Sequence, residues 1–597
     1  MIISCLGIIV YSNTFHGTFQ FDDKVFIIDN STLRNIADLH NIWNYYPCRF
    51  LTFLSFALNF HFHQLNVFGY HLVNLGIHLL TAILVWWLTL LTLSTPALKN
   101  TKITRHADLI ALLTGLVFVS HPLQTEAVTY IWQRAASMAT MFYLASLCLY
   151  VKSRLKPNKL YYFSSLMAAI LTMFTKETAI TLPLMIILYE FCFLNTGKKL
   201  NWKYLAPFLL TIFIIPLTML FNTGTAPKEP TNISSYHYLL TQFRVIITYI
   251  RLLFVPLHQN LDYDYPVVKS IFELPAFFSF LFLVILLFWA KRLFPKYRLI
   301  SFSIFWFFLT LLPESSFFPL QDVIFEHRLY LPMAGYSIFL VCGVYYMFYR
   351  HSERSEESKD ILRSFTSFRM TLVALLLIIA CNSILTYQRN SIWKNEITLL
   401  NDVIRKSPHK ERPFNNRGLV LSGQGNLDQA IADFSQAIKI NPEYTNAYIN
   451  RGFMYNKQGD LNRAIVDYGK AIEINPRLAE AYIDRGNVFV KSGNLKQAVP
   501  EFEKAVKISP DNPNFADTYY DLGFIYYKMG NYAQAVANYS KFIEMNPNDP
   551  EAYNNRAVSY FQLKEYDKSW DDVNMAEKLG STANPQLINA LKQVTGK

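Results

Sequence analysis

Pro408, Pro442, Pro476 and Pro510 stand 34 residues apart, and Pro547 follows after 37. Three other sets keep the same phase: Gly418, Gly452, Gly486 and Gly523; Ala430, Ala464, Ala498 and Ala535; and Phe434, Tyr468, Phe502 and Tyr539. A unit of this length cannot bury its apolar face alone, so a chain built from it folds by stacking neighbours into a solenoid. Within each unit the small residues let two helices approach, the aromatic fills the gap between them, and the proline ends the second helix. Stacking curves the array and gives it a concave binding face.

The period and its residues read as a tetratricopeptide array of about five repeats over 411–597. The three extra residues fall within 511–517, and in the last unit Ser569 and Val573 replace the alanine and the aromatic. That unit is expected to cap the stack, with 587–592 as a closing helix.

A chain of 597 residues exceeds one domain, and residues 1–387 hold nearly all the long apolar runs. The expected fold is all-α: a polytopic membrane domain of about eleven spans over 1–387, a linker over 388–410, then the α-solenoid. The net charge of +12 would suit nucleic acid, but the basic residues of the first half cluster in short loops between apolar runs, as membrane topology demands. No nucleic-acid partner is expected. Loops with Lys99, Lys102 and Arg105, with Lys152, Arg154, Lys156 and Lys159, and with Lys198, Lys199 and Lys203 are placed in the cytoplasm. The stretch 238–256 carries Arg244 and Arg251, and a crossing there would put the basic loop 291–298 outside. It is therefore read as an interfacial or re-entrant helix, which leaves the repeats external.

The first apolar run, 2–11, makes only about 15 Å of helix against a hydrocarbon core of about 30 Å. Either 12–17 extend it or further residues precede it, and it lacks the basic start of a signal peptide. Cys5, Cys148, Cys192, Cys342 and Cys381 lie in apolar runs and only Cys48 in a polar neighbourhood, so no disulfide framework is expected. The loop 350–369 reads as a solvated linker and resembles translated interspersed repeats of bacterial genomes. This points to a bacterial inner membrane with the repeats in the periplasm or exterior.

The same topology gathers ionisable residues on the outer side. Asp22 and Asp23 follow the first apolar run; His121, Glu126, Lys176, Glu177, Asp262, Asp264, Glu314, Asp322, Glu326, His327 and Arg328 occupy later outer loops. Any one of them is explained by a cap or a surface ion pair. Six clusters returning to one surface suit a reaction between a lipid-borne phosphate ester and an external hydroxyl, with Arg and Lys on the phosphate and a carboxylate taking the hydroxyl proton. A scaffold that merely anchors the repeats needs no such loops. A transporter would show charges buried within spans and an internal helical repeat, and neither is visible.

In this order the residues resemble the transmembrane and tetratricopeptide-repeat-containing O-mannosyltransferases, of GT-C type. The likeness is carried by Phe21-Asp22-Asp23 with Asp29-Asn30, Arg49-Phe50-Leu51-Thr52, Tyr70-His71-Leu72-Val73-Asn74, His121-Pro122 through Glu126-Ala127-Val128, Arg134, Lys176-Glu177, Asp262-Tyr263-Asp264 and Glu326-His327-Arg328-Leu329-Tyr330. Pro47-Cys48-Arg49 departs from the Arg-Pro of the family pattern, which weakens a role for Arg49. The resemblance implies a membrane enzyme that moves mannose or another hexose from a polyprenyl-phosphate donor to Ser or Thr of an external protein. Asp22 or Asp23 is then the expected base, and Arg134, Lys176 and Arg328 the ligands of the donor phosphate. Glu177, Glu326 and His327 support the site. His121 and Glu126 orient the base or hold a metal; the first is favoured because no tight ligand spacing is present, and a divalent metal is left open.

A row of amides and acids recurs just before each first-helix glycine or its equivalent: Asn416, Asn450, Asp484, Asp521 and Asn555. It is similar to the asparagine ladder with which the tetratricopeptide array of the nucleocytoplasmic O-linked N-acetylglucosamine transferase grips extended polypeptide. Local hydrogen bonding within the repeats accounts for such residues equally well. As a ladder, the row would bind an acceptor polypeptide.

Overall fold

The computed structural model describes residues 1–195, 200–220, 233–316, 318–353, 361–510, 512–582 and 584–596, without the side chains of 349–368 and 514. Lys198, Lys199, residues 354–360 of the loop 350–369 and the start of the insertion at 511 therefore lie outside what is described, while 350–353 and 361–369 continue the flanking helices where a linker is expected. Every regular element among the described residues is helical. The chain divides into two compact units, 1–408 and 409–597.

Among the described residues of the first unit seven helices are long and apolar enough to cross a membrane: Val67–Leu93, Lys102–Ser120, Ile131–Leu155, Glu177–Leu194, Trp202–Leu220, Leu274–Leu293 and Arg369–Ile392. Arg298–Leu311 and Pro332–Phe348 are shorter apolar helices. Two further apolar runs make shorter elements still, Ile2–Val10 with 9 residues and Lys159–Met173 with 15. The second of these packs along Arg134–Leu155 as a hairpin. Val67–Leu93 lies between Ala107–Ser120 and Arg134–Leu155, and one large apolar core runs through these helices. Leu274–Leu293 is peripheral: Ala276, Leu283 and Ala290, seven residues apart, are its buried seam, while Phe278, Phe288 and Trp289 face outward. Lipid is the solvent that tolerates such a surface.

Ser235–Phe254 is long enough to span but is tied along its whole length to loops at one end of the bundle. Tyr238 Oη donates to Glu314 O at 2.6 Å, Gln242 Nε2 to Val323 O at 2.8 Å and Tyr249 Oη to Phe325 O at 2.9 Å. Its last turn accepts a bond at Leu253 O from His121 Nε2 at 3.0 Å. A crossing helix would reach those loops with one end only.

A second, smaller core sits beneath the loops at this end. It includes Ile27, Leu33, Phe53, Phe56, Tyr130, Trp132 and Trp393. The helix Phe50–His63 supplies two of its rings, and Phe26 stacks on Trp132 at 4.1 Å. Residues 388–410 hold the end of the helix Ile361–Ile392 and the helix Glu396–Lys406, joined by Arg389 Nη1 on Asp402 Oδ2 at 2.7 Å.

The second unit is five helix pairs, from Glu411–Gly423 with Leu427–Ile440 to Pro550–Gln562 with Tyr566–Lys578, closed by Pro585–Thr595. The phased glycines are explained by the rings opposite them. A β-carbon on Gly418 would stand 2.6 Å from Phe434, and on Gly523 2.8 Å from Tyr539. Where Val573 replaces the ring, Ala557 replaces the glycine, and both are buried against Leu587 and Leu591 of the closing helix. Four of the five pairs are also pinned by an Arg on the first helix and an acid 16 residues on: Arg417 with Asp433, Arg451 with Asp467, Arg485 with Glu501 and Arg556 with Asp572, all at 2.7–2.8 Å.

Candidate active site

The turn at Gln20–Lys24 separates the two adjacent carboxylates by burial. Phe21 sits at φ +46°, a left-handed conformation that a side chain disfavours and that is retained where the surroundings over-determine it. Asp23 is 1% exposed; its Oδ2 accepts from Gln20 N at 2.9 Å and its Oδ1 from Trp132 N at 2.7 Å. Burial pushes the Asp23 carboxyl well above the ordinary aspartate range, against the pull of the two N–H groups. Asp22 is half-buried, and its N–H donates to Tyr130 Oη at 3.0 Å. Asp23 thus fastens the turn, and Asp22 is the carboxylate that water reaches. Farther along the loop, Asn30 caps a short turn by accepting from Thr32 N at 3.0 Å.

Glu126 and His327 come together from loops 201 residues apart, with Oε1 and Nδ1 at 2.6 Å. Glu126 Oε2 accepts from Glu326 N at 3.0 Å. Burial, and then the charge of Glu326, push the Glu126 carboxyl up to about 8. Burial and then the charges of Lys176, Arg328 and Arg49 hold the His327 imidazole well below its ordinary value. Glu326 itself is enclosed by Gln259 Nε2 at 2.8 Å, Asn260 N at 2.6 Å and Tyr263 Oη at 2.7 Å, so the loop of Asp262 and Asp264 wraps it. His121 spends both ring nitrogens on backbone: Nε2 donates to Leu253 O, and Nδ1 accepts from Leu123 N at 3.3 Å. Burial lowers it to about 4, so it is neutral. It fixes the Ser235–Phe254 helix and does not reach Asp22 by a hydrogen bond. Among the described residues no three His, Cys, Asp or Glu side chains gather as a metal site.

The basic residues divide into two kinds. Arg134 is fully buried: Nε donates to Asn74 Oδ1 at 2.6 Å, Nη1 to Ser55 O at 3.2 Å and Nη2 to Tyr70 O at 3.1 Å, with the guanidinium 4.4 Å from the Phe56 ring. Bound this way it locks three helices together, with four of its five N–H groups spent on the protein, Nη1 also reaching Ser55 Oγ at 3.3 Å. Arg328 spends Nη1 on Val323 O at 3.0 Å and Nη2 on Asp322 O at 2.8 Å, while its buried Nε is unpaired. Lys176 and Arg49 instead meet carboxylates: Lys176 Nζ is 2.8 Å from Glu314, and Arg49 Nη2 is 3.0 Å from Glu177. Arg49 also lies 5.8 Å from the Trp132 ring, whose own backbone N–H holds Asp23. Arg49 thus lies against the Trp132 side of the aspartate turn, and its charge, with those of Lys176 and Arg328, acts on His327, the partner of Glu126, so these loop residues form one electrostatically linked layer.

In the repeats, the row Asn416, Asn450, Asp484, Asp521 and Asn555 falls on consecutive first helices, each residue half-buried. Asn450 Nδ2 donates to Asn415 Oδ1 at 2.9 Å and Asn555 Nδ2 to Tyr520 Oη at 2.7 Å, both one repeat back. Burial, with the charges of Glu480 and Asp517 respectively, pushes the Asp484 and Asp521 carboxyls up to about 6.

Residues 418–459, 454–493, 486–530 and 525–564 match the sequence profile described as TPR repeat. Across 73% of its length the chain is 25% identical to "Protein O-mannosyl-transferase Tmtc3" of Drosophila melanogaster, and across 74% it is 26% identical to a protein O-mannosyl-transferase of Caenorhabditis elegans. It spans 54% and 62% of the lengths of those two relatives. The chain is thus homologous to proteins named as protein O-mannosyl-transferases. Among solved structures it is similar to YrrB, "a TPR protein with an unusual peptide-binding site", at 20% identity and a TM-score of 0.29, over 32% of this chain and 97% of that one.

Proposed function

We propose that the membrane unit is an inverting glycosyltransferase that moves a sugar, mannose or another hexose, from a polyprenyl-phosphate donor to a Ser or Thr hydroxyl of a protein. The observation that carries this reading is the layer of loop residues just described, with a water-accessible carboxylate, Asp22, at one end and Arg49, Lys176 and His327 beyond it. The names of the homologues supply the reaction class. Asp22 takes the proton of the acceptor hydroxyl as that oxygen attacks the anomeric carbon. Asp23, fixed by two backbone N–H groups, holds Asp22 in place.

Lys176 and Arg49 compensate the charge that develops on the departing phosphate, releasing Glu314 and Glu177 as they do so; such fixed charge stabilisation supplies the larger share of catalysis in group transfer. Arg328 contributes through Nε, a buried donor without a partner. Arg134 builds the scaffold behind them. The repeats present an extended acceptor chain along the Asn416 to Asn555 row. The protein resides in a bacterial inner membrane, with the aspartate turn and the repeats on the periplasmic or external side.

Membranes holding the full chain, incubated with labelled polyprenyl-phosphate sugars, should pass label into protein. Label confined to lipid or glycan fractions would refute a protein acceptor. No transfer from any donor would leave the chain a membrane-anchored repeat scaffold.

A further inference from the structure

The contact between Glu126 and His327 joins a fully buried acid to a ring whose other nitrogen makes no hydrogen bond among the described residues. Glu126 has one oxygen committed to the Glu326 N–H and the other at 2.6 Å from His327 Nδ1. The ring is held flat against Phe325, with centroids 5.1 Å apart. The charged groups acting on this pair are Lys176, Arg328 and Arg49 about the imidazole, and Glu326 and Arg389 about the carboxyl. Two of the three cations meet carboxylates, Lys176 with Glu314 and Arg49 with Glu177, and once a phosphate displaces those the cations favour it beside the imidazole, where it takes a hydrogen bond from a donor at Nε2.

Resting on the sugar-transfer reading, we propose that His327 Nε2 protonates the departing polyprenyl phosphate and that Glu126 resupplies that proton through Nδ1. The acceptor oxygen bonds to the anomeric carbon as the bond from that carbon to the phosphate oxygen breaks, and the electron pair of the broken bond goes to the phosphate oxygen. That oxygen takes the Nε2 proton. Nδ1 takes the proton of the Glu126 carboxyl, which is left as a carboxylate, while Asp22 takes the proton of the acceptor hydroxyl. Donor and acceptor thereby become glycosylated acceptor and singly charged polyprenyl phosphate, and a proton returned to Glu126 resets the pair.

The protonation this needs is the one the surroundings favour. A Glu126 carboxyl pushed up to about 8 by burial and by Glu326 carries a proton near neutral pH and donates it to Nδ1. A neutral imidazole that accepts at Nδ1 must bear its own hydrogen at Nε2. His327 is the catalytic residue of this proposal and Glu126 a positioning residue that acts through it. If the pair were merely a fastener between two loops, the loss on replacing either member would be independent of the leaving group.

The test uses the full chain in lipid nanodiscs with a series of glycosyl phosphate donors in which the prenyl chain is replaced by aryl groups of rising electron withdrawal. A less basic leaving phosphate has less need of a proton. His327→Gln and Glu126→Gln should each lower kcat for the prenyl donor by a factor on the order of 10² with KM nearly unchanged, and the deficit should shrink steadily along the series. Glu126→Gln keeps the shape and a donor to Nδ1, so it tests the relay if His327→Gln misfolds. A deficit of the same size for every donor, or no deficit, overturns the proposal. Absence of transfer by the unmodified protein overturns the sugar-transfer reading itself, an outcome distinct from the other two.

Discussion

Asp23 Oδ1 accepts a hydrogen bond from the backbone N–H of Trp132 at 2.7 Å, across 109 residues of chain. The first loop after the N-terminal helix is thereby fastened to the loop that opens the helix Arg134–Leu155, and the neighbouring Asp22 inherits a fixed position. This bond separates two residues that are adjacent and chemically identical. Asp22→Asn should leave the protein folded and lower sugar transfer by a factor of about 10² or more, because an amide of the same shape cannot take the acceptor's proton. Asp23→Asn sets an amide donor against a backbone donor in a buried site and should cost about 1–3 kcal/mol of local stability as well as activity. Thermal unfolding and amide exchange over 20–24, measured beside activity, distinguish the two. Equal stability loss in both variants would refute the division of roles.

A second prediction concerns the turn between the paired helices. Gly425, Gly459, Gly493 and Gly530 have φ between +78° and +81°, and the corresponding position of the last repeat is Lys564 at φ +62°. Lysine carries there the left-handed strain that glycine avoids, worth about 1 kcal/mol. Lys564 is exposed, so Lys564→Gly loses no packing and should stabilise the last repeat by about that amount. Slower amide exchange over 550–578 checks it, and an unchanged rate would show that the strain is relieved elsewhere.

Much of this architecture was legible in the sequence because it is written at short range. The 34-residue phase of Gly418, Phe434 and Pro442 reports contacts between helices that are neighbours in the chain, and the apolar runs report a solvent rather than a partner. The Arg417–Asp433 spacing of 16 residues is equally short-range and recurs in four repeats. Roles at the site were not legible, since they depend on what arrives from elsewhere. Arg134 has the type and place of a phosphate ligand, and only the fold shows that Asn74, Ser55 and Tyr70 from two other helices occupy four of its five donors. Tyr130 carries no mark of its own and becomes part of the aspartate turn only through its bond to Asp22 N. The helix Phe50–His63 is not marked as a long apolar run, because Thr52, Ser55, Asn59, His61 and His63 interrupt it, and its Phe53 and Phe56 serve the small core.

The pH dependence of the repeats follows from Asp484 and Asp521. Both carboxyls are pushed from 3.8 up to about 6, by burial first and then by Glu480 and Asp517. A group whose value is higher in the folded chain favours folding when protonated. Its contribution is complete below about 4 and is lost as pH rises through 6. The repeats should therefore be better protected at pH 4 than at pH 7, by an amount on the order of 1 kcal/mol for each residue after solvent screening. Asp484→Asn and Asp521→Asn should remove that dependence and stabilise the repeats at pH 7. Amide exchange of the full chain, corrected for intrinsic rates, measures it; a protection that rises between pH 4 and 6 would reverse the sign.

The last prediction concerns what the row on the first helices holds. Asn450 and Asn555 each direct Nδ2 to the preceding repeat, which orients the amide and fixes the side-chain carbonyl. Asp484 and Asp521 contribute carboxylates at the same register, so the row as a whole is a series of acceptors repeated once per unit. Acceptors at that period pair with backbone N–H groups of an extended polypeptide and read no side chain. Replacing Asn416, Asn450 and Asn555 together by Ala should then raise KM for long polypeptide acceptors about tenfold or more and leave a short acceptor peptide unaffected, because only a long chain engages the row and the membrane site at once. Exchange measurements on the triple variant separate lost binding from lost repeat packing, since two of the three amides also bridge repeats. An equal effect on both acceptors, with the repeats still protected, would remove the row from acceptor binding.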